Sequence, residues 1–328
     1  MKEYSFKNVC KNTTNKSDSN GAVTILNPDN GKMLTVNREY AEWFRTFTDG
    51  GRPYAFGDII KLPNHAKTLR LIGETNSDAF YHGEIADAIE RQSIRDGGFI
   101  RKSDYEAHEA VWVDPVSVNY RGYDIWELPP NGQGIVALMA LNIIKNFEFD
   151  VKDKETVRTC HLQMETLKKA FADGLEYITD PRYMGVDFHE FLKDDYGKTR
   201  AKEIDPVRAQ APTHLEMNSS GTVYLCTADE EGNMVSLIQS NYMGFGSGIT
   251  IEGYGVTLQN RGNFFSLDPR AYNYLQPAKK TYHTIIPGFI TKGGKAVGPF
   301  GIMGAKMQPQ AHFQYVMNLI DFNLNPQM

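Results

Sequence analysis

The chain has 328 residues, with 35 Lys and Arg against 40 Asp and Glu for a formal charge of −5, and it is 41% hydrophobic, 12% aromatic and 23% charged. These are globular proportions, and the length suits one large or two ordinary domains. A mildly acidic chain without basic runs excludes nucleic acid as the main partner, because phosphate binding needs clustered Lys and Arg. The longest apolar stretch, Gly134 to Ile144, is too short to span a bilayer, so no membrane partner is expected.

The first twenty residues lack the apolar core of a signal peptide, and the cysteines (Cys10, Cys160, Cys226) are few and dispersed. That excludes a disulfide framework and a local zinc finger, and it points to the cytoplasm. Residues 22–37 read as two strands about an Asn-Gly-type turn. Apolar residues at helical spacing predict helices over Leu62–Glu74 and Ala79–Arg95, the second ended by Gly97-Gly98. Ser103–His108 opens on a Ser-Asp capping signal, and residues 111–129 look like strands meeting at a turn. Leu128-Pro-Pro-Asn-Gly-Gln-Gly134 leads into a strongly apolar helix, Ile135–Asn146, and another helix is predicted over Glu155–Phe171. The charged and Pro-rich residues 180–212 suit surface helices and a loop.

From Thr222 the texture changes to strand, turn and strand (222–229, 230–233, 234–241). More β-rich sequence follows near Ile249–Leu258, then an apolar run at Tyr282–Ile290, a turn at Gly293-Gly294 and a final helix from about Gln308 to Ile320. The class is α+β, with layered sheets covered by helices. Strands on both sides of residues 180–220 can join one sheet, so that stretch is not read as a domain linker.

The common hydrolase signals are absent: there is no G-x-S-x-G elbow, H-E-x-x-H or Walker loop. Gly244-Phe-Gly-Ser-Gly248 misses dinucleotide-binding spacing and marks a tight backbone passage. His82, His108 and His161 fall on helical or capping segments that suit solvated or core roles. One junction stands out, where the polar approach 213–221 runs into Thr222 at the head of a strand. A threonine there can attack the preceding carbonyl, since Gly221 has no side chain to block it. Cleavage would free the Thr222 amine, whose pKa of about 8 suits a general base acting on its own hydroxyl.

The pattern around that junction, Thr222-x₆-Asp229-x-x-Gly232-Asn233 followed by Ser240-Asn-Tyr-Met-Gly-Phe-Gly-Ser-Gly248, resembles the start of the small subunit in the γ-glutamyltranspeptidases, which are N-terminal-nucleophile hydrolases. Ala79–Ala86, Gly97–Tyr105 and Leu128–Gly134 resemble the large subunit, and Leu258–Ser266, Lys279–Pro287 and Gly301–Gln310 continue the match. The resemblance implies part of an αββα sandwich made of two processed segments of one catalytic domain, 1–221 and 222–328, that stay associated. It implies Thr222 as nucleophile, Gly221 and Thr222 as the processing pair, Ser240 as the hydroxyl bonded to the nucleophile, and the amides of Gly304 and Ala305 as the oxyanion hole. Thr213-His214 imitates the family's start, but the residue seven on is Ser220 rather than an Asp, so it is set aside.

The substrate pocket departs from the family. Phe264 stands where an Asp would bind a substrate α-amine, Arg261 at a nearby amide position, His283 and Thr284 at paired serines, and Tyr242 at an Asn. These changes resemble the branch that includes cephalosporin acylases. Both ends also look cut relative to the family. The implied activity is hydrolysis or acyl transfer of a small-molecule amide, glutathione-type by default, with water or an amine as acceptor and no metal or other cofactor. The alternatives are a glutaryl-type acylase and an inactive fragment.

Overall fold

The computed structural model describes residues 22–26, 33–211 and 222–326. Cys10, the turn between the first two strands, Thr213-His214 and Gly221 lie outside these residues. The chain divides into two compact units, residues 1–111 with 244–260, and residues 112–243 with 261–328.

In the first unit, β1 (Ala22–Leu26) pairs antiparallel with β2 (Met33–Asn37). A short helix that periodicity does not announce, α1 (Ala41–Phe47), buries Trp43 and Phe44. Helix α2 (Pro63–Glu74) opens on a proline, where a missing N–H costs nothing. The helix expected over 79–95 is two, α3 (Asp78–Tyr81) and α4 (Glu84–Arg95), because Gly83 turns extended between them. The cap lies two residues before Ser103: in α5 (Lys102–Glu106) the Asp104 carboxylate accepts from the N–H of the N-cap Arg101 at 2.8 Å. Ile85 and Ile89 pack with Ile251 and Tyr254. The β-rich reading of 249–258 reduces to a single bridge, Thr250–Thr257, closing a tight turn in which Ile251 N–H donates to the Val256 carbonyl at 2.7 Å. Gly244, Gly246 and Gly248 all take positive φ, as a tight backbone passage requires.

In the second unit, β3 (Val116–Tyr120) and β4 (Tyr123–Glu127) form a hairpin ahead of α6 (Gly134–Ile144), every residue of which is buried. A helix apolar all round must be enclosed. It is, by the sheet and by α7 (Val157–Tyr177), α8 (Asp194–Lys202) and a final helix. Helix α7 runs past the expected Phe171 because Gly174 does not break it; a Cβ there would meet Val136 at 2.5 Å, so the glycine marks the close approach of α7 to α6. Next come the hairpin β5 (Thr222–Ala228) and β6 (Met234–Ser240), then β7 (Gly288–Lys292), β8 (Lys295–Phe300) and α9 (Met307–Ile320). The sheet order is β3-β4-β7-β8, so strands from both sides of residues 180–220 do join one sheet. Ile125 and Ile290 oppose each other and pack into the helical core. Trp126 and Phe289 form the neighbouring pair, whose side chains alternate onto the opposite face. On β6, the Ser236 hydroxyl donates to the Gly288 carbonyl at 3.0 Å, tying the hairpin to the start of β7.

Candidate active site

Thr222 begins β5 and Ser240 ends β6, and they are register partners in the antiparallel ladder. Directly opposed residues put both side chains on one face, with Cβ atoms about 5 Å apart. Thr222 is only 4% exposed. The Ser240 Oγ accepts from the Tyr242 N–H at 2.8 Å and from an Arg261 terminal nitrogen at 2.9 Å. With both lone pairs engaged, its remaining capacity is to donate its proton. Arg261 also donates to the Ser240 carbonyl at 2.9 Å and to the Thr284 hydroxyl at 2.6 Å.

Arg261 is 4% exposed, and no carboxylate pairs with it among the described residues. Burial pulls its guanidinium down to about 10. A buried cation is costly unless an anion meets it. Burial, and then Arg261, lower the His283 imidazole to about 3. Its Nδ1 accepts from the Ile285 N–H at 3.4 Å, so the neutral ring carries its proton on Nε2. The unfolded chain binds that proton near pH 6.5 and the folded one only near 3, so stability rises with pH through this window and is level above it. His283→Gln should remove on the order of 2 kcal/mol of the stability lost between pH 7 and pH 4, a value discounted for partial exposure. Urea unfolding of both proteins at the two pH values measures this; identical losses would contradict it.

The apolar run 282–290 is not one strand. Only 288–292 pairs as β7; the residues before it bond instead to the loop from Leu128-Pro-Pro-Asn-Gly-Gln-Gly134. His283 N–H donates to the Asn131 carbonyl at 2.9 Å, Gln133 N–H to the His283 carbonyl at 2.8 Å, and the Asn131 amide to the Thr281 carbonyl at 2.7 Å. Phe264 lies between Tyr242 and Tyr282, with ring centroids 4.5 and 5.5 Å away. Lys306 Nζ stands 5.9 Å from the Phe264 ring.

Gly304 and Ala305 precede α9, and their carbonyls accept from Met307 and Gln308 N–H at 2.8 and 3.1 Å. Their own amide hydrogens meet no acceptor among the described residues. Both residues have positive φ, +135° and +50°. A Cβ at Gly304 would come within 2.9 Å of the Met307 Cβ. For Ala305, and for Tyr242 at φ +77°, the left-handed backbone costs roughly 1–2 kcal/mol each, so the surroundings must hold them there.

Thr222, Ser240, Tyr242, Arg261, Phe264 and Thr284 are thus linked by ladder, hydrogen bonds or ring contacts. His283 joins through Arg261 and its backbone bonds, and Ala305 through Gln133. Gly221 falls outside the described residues. Gln133, Tyr282 and Lys306 were not singled out from sequence. Gln133 stands inside the Leu128–Gly134 motif, but a neutral amide carries no chemical signal until its partners are known. Among the described residues no cluster of His, Cys, Asp and Glu could hold a metal ion, and no helix is long and apolar enough to cross a membrane.

The family model for gamma-glutamyltranspeptidase matches residues 24–328. The chain belongs to that family. It is 36% identical over 281 residues to the glutathione hydrolase-like YwrD proenzyme of Bacillus subtilis, covering 86% of this chain and 53% of that protein. It is 34% identical over 254 residues to the oxamate amidohydrolase proenzyme of Klebsiella pneumoniae, covering 77% and 48%. Among solved structures, a cephalosporin acylase from Bacillus halodurans superposes with a TM-score of 0.82 at 50% identity, over 89% of this chain and 53% of that one. The chain spans about half the length of the curated relatives it matches. Its fold is that of the N-terminal-nucleophile hydrolases, part of an αββα sandwich, and the acylase-like branch of the gamma-glutamyltranspeptidase family fits it.

Proposed function

We propose that this gamma-glutamyltranspeptidase-family protein cleaves itself before Thr222 and then hydrolyses or transfers a small acyl group from an amide through an acyl-threonine. The observation that carries this reading is the Thr222–Ser240 pair at the head of the hairpin, with the serine hydroxyl held by a buried guanidinium. The freed Thr222 amine takes the hydroxyl proton as Oγ1 attacks the substrate carbonyl. The Gly304 and Ala305 amides receive the developing oxyanion, the leaving amine departs with the proton, and water or an acceptor amine resolves the ester. Ser240, restricted to donating, stabilises the attacking oxygen.

The acyl group is one that carries a carboxylate and no α-amine. Arg261 supplies a buried cation with N–H groups beyond those given to Ser240 and Thr284, whereas Phe264 offers an α-amine no carboxylate and the nearby Lys306 ammonium repels it. A shorter acyl group is favoured by one detail: Arg261 touches Ser240, the register partner of Thr222, so the guanidinium lies close to the reacting carbon. Oxamate, the substrate in the name of one relative, has its carboxylate directly on that carbon.

Trapping tests the chemistry. Acid quench of the protein during turnover of a carboxyacyl p-nitrophenyl ester should leave the acyl mass on the peptide beginning at Thr222. An adduct on another residue, or none while nitrophenol is released in a burst, contradicts the acyl-threonine reading.

A further inference from the structure

Gln133 is fully buried, and its side chain engages both amide hydrogens and its carbonyl oxygen. The amide nitrogen donates to the Thr284 carbonyl at 2.7 Å and to the Ala305 carbonyl at 2.8 Å, and Oε1 accepts from the Tyr282 hydroxyl at 3.2 Å. With its backbone N–H on His283, this residue ties 282, 283 and 284 to Ala305. We propose that Gln133 is a positioning residue that fixes the oxyanion-binding amide of Ala305 relative to the acyl pocket, a role that rests on the acyl-threonine reading above.

The physical case is one of aim. The Ala305 carbonyl accepts from Gln308 N–H as well as from Gln133, so two donors from different elements set the orientation of residue 305. That residue sits at φ +50°, a conformation an alanine keeps only when its neighbours impose it. Its amide hydrogen has no acceptor among the described residues. Oxyanion donors act through fixed placement, and an error of about 1 Å in such a group costs roughly 100-fold. The other amide hydrogen of Gln133 holds Thr284, whose hydroxyl accepts from Arg261, so the same amide spans the charge-stabilising and the acyl-binding sides of the site.

Two variants decide it, with rates expressed per released Thr222 terminus. Gln133→Met keeps the volume and removes all three side-chain bonds; kcat for a carboxyacyl anilide should fall about 10- to 100-fold with KM changed less than about 3-fold. The acyl adduct should still accumulate on Thr222 on long incubation. Gln133→Glu turns two donors into acceptors facing carbonyls when ionised, but regains one donor when protonated. Its kcat should therefore recover several-fold as pH falls, a limb absent from the unaltered protein. Values of kcat within about 3-fold of the unaltered protein in both variants overturn the proposal, as does a loss carried by KM. Failure of both to melt cooperatively also overturns it, in favour of a purely structural role. Loss of the Thr222 adduct from the unaltered protein would instead strike the acyl-threonine reading and is read separately.

Discussion

Intact-mass measurement on the purified protein should return two pieces, of 221 and 107 residues, and Thr222→Ala should return one uncleaved chain. The hydroxyl is the only group at that position able to attack the Gly221 carbonyl, form an ester in place of the amide, and leave the ester to water. Thr222→Ser keeps the oxygen and should still cleave, more slowly. The alanine variant loses the nucleophile for turnover as well, so amidase activity should drop by about 10⁴-fold or more. The two pieces should co-elute under native conditions. Strand β4 of the larger piece pairs with β7 of the smaller, and Asn131 and Gln133 of the larger bond to Thr281, Thr284 and Ala305 of the smaller. Persistent cleavage in Thr222→Ala, or cleavage at another bond, would remove Thr222 from its assigned role. An uncleaved unaltered chain that melts cooperatively would support the inactive alternative.

Glutaryl p-nitroanilide should exceed γ-glutamyl p-nitroanilide by roughly 30- to 1000-fold in kcat/KM. The two differ by one α-ammonium, which needs a buried acceptor. Losing such a charge-assisted contact costs about 2–4 kcal/mol, which sets the ratio. Here the position holds Phe264 in an aromatic stack with Tyr242 and Tyr282, and Lys306 stands nearby. Phe264→Asp should narrow the ratio by giving the ammonium a partner. Arg261→Leu should cut turnover of the glutaryl compound while also freeing the Ser240 hydroxyl, so both substrates suffer and the glutaryl one more. An oxalyl-to-glutaryl series measures how far the guanidinium sits from the scissile carbonyl: a rate maximum at the short end supports the oxamate-like reading. A clear preference for the γ-glutamyl anilide in the unaltered protein would refute the pocket assignment.

The sequence by itself carried the element types, because they rest on local pattern. The alternating residues of 222–228 and 234–240, the helical periods of 63–74 and 307–320, and the unbroken apolar run 134–144 each report a face or a buried helix without reference to distant residues. Thr222 was within reach as a threonine after a glycine at the head of a strand, and Ser240 only through the family resemblance; the hairpin register that opposes them belongs to the structure. Where local pattern was ambiguous, tertiary contacts decided. The 282–287 stretch is apolar enough for a strand, yet its backbone bonds to Asn131 and Gln133, residues about 150 positions away. Helix α7 passes through Gly174, where the close approach of Val136 leaves no room for a side chain. The resemblance puts Arg261 at the substrate pocket, but only folding shows it buried between Ser240 and Thr284. Gln133 is the extreme case: its side chain is uncharged and unreactive, and its role depends wholly on which two carbonyls lie 2.7 and 2.8 Å away. Hydrogen-bond geometry between residues remote in the chain has no one-dimensional signature, so tertiary structure alone could place it.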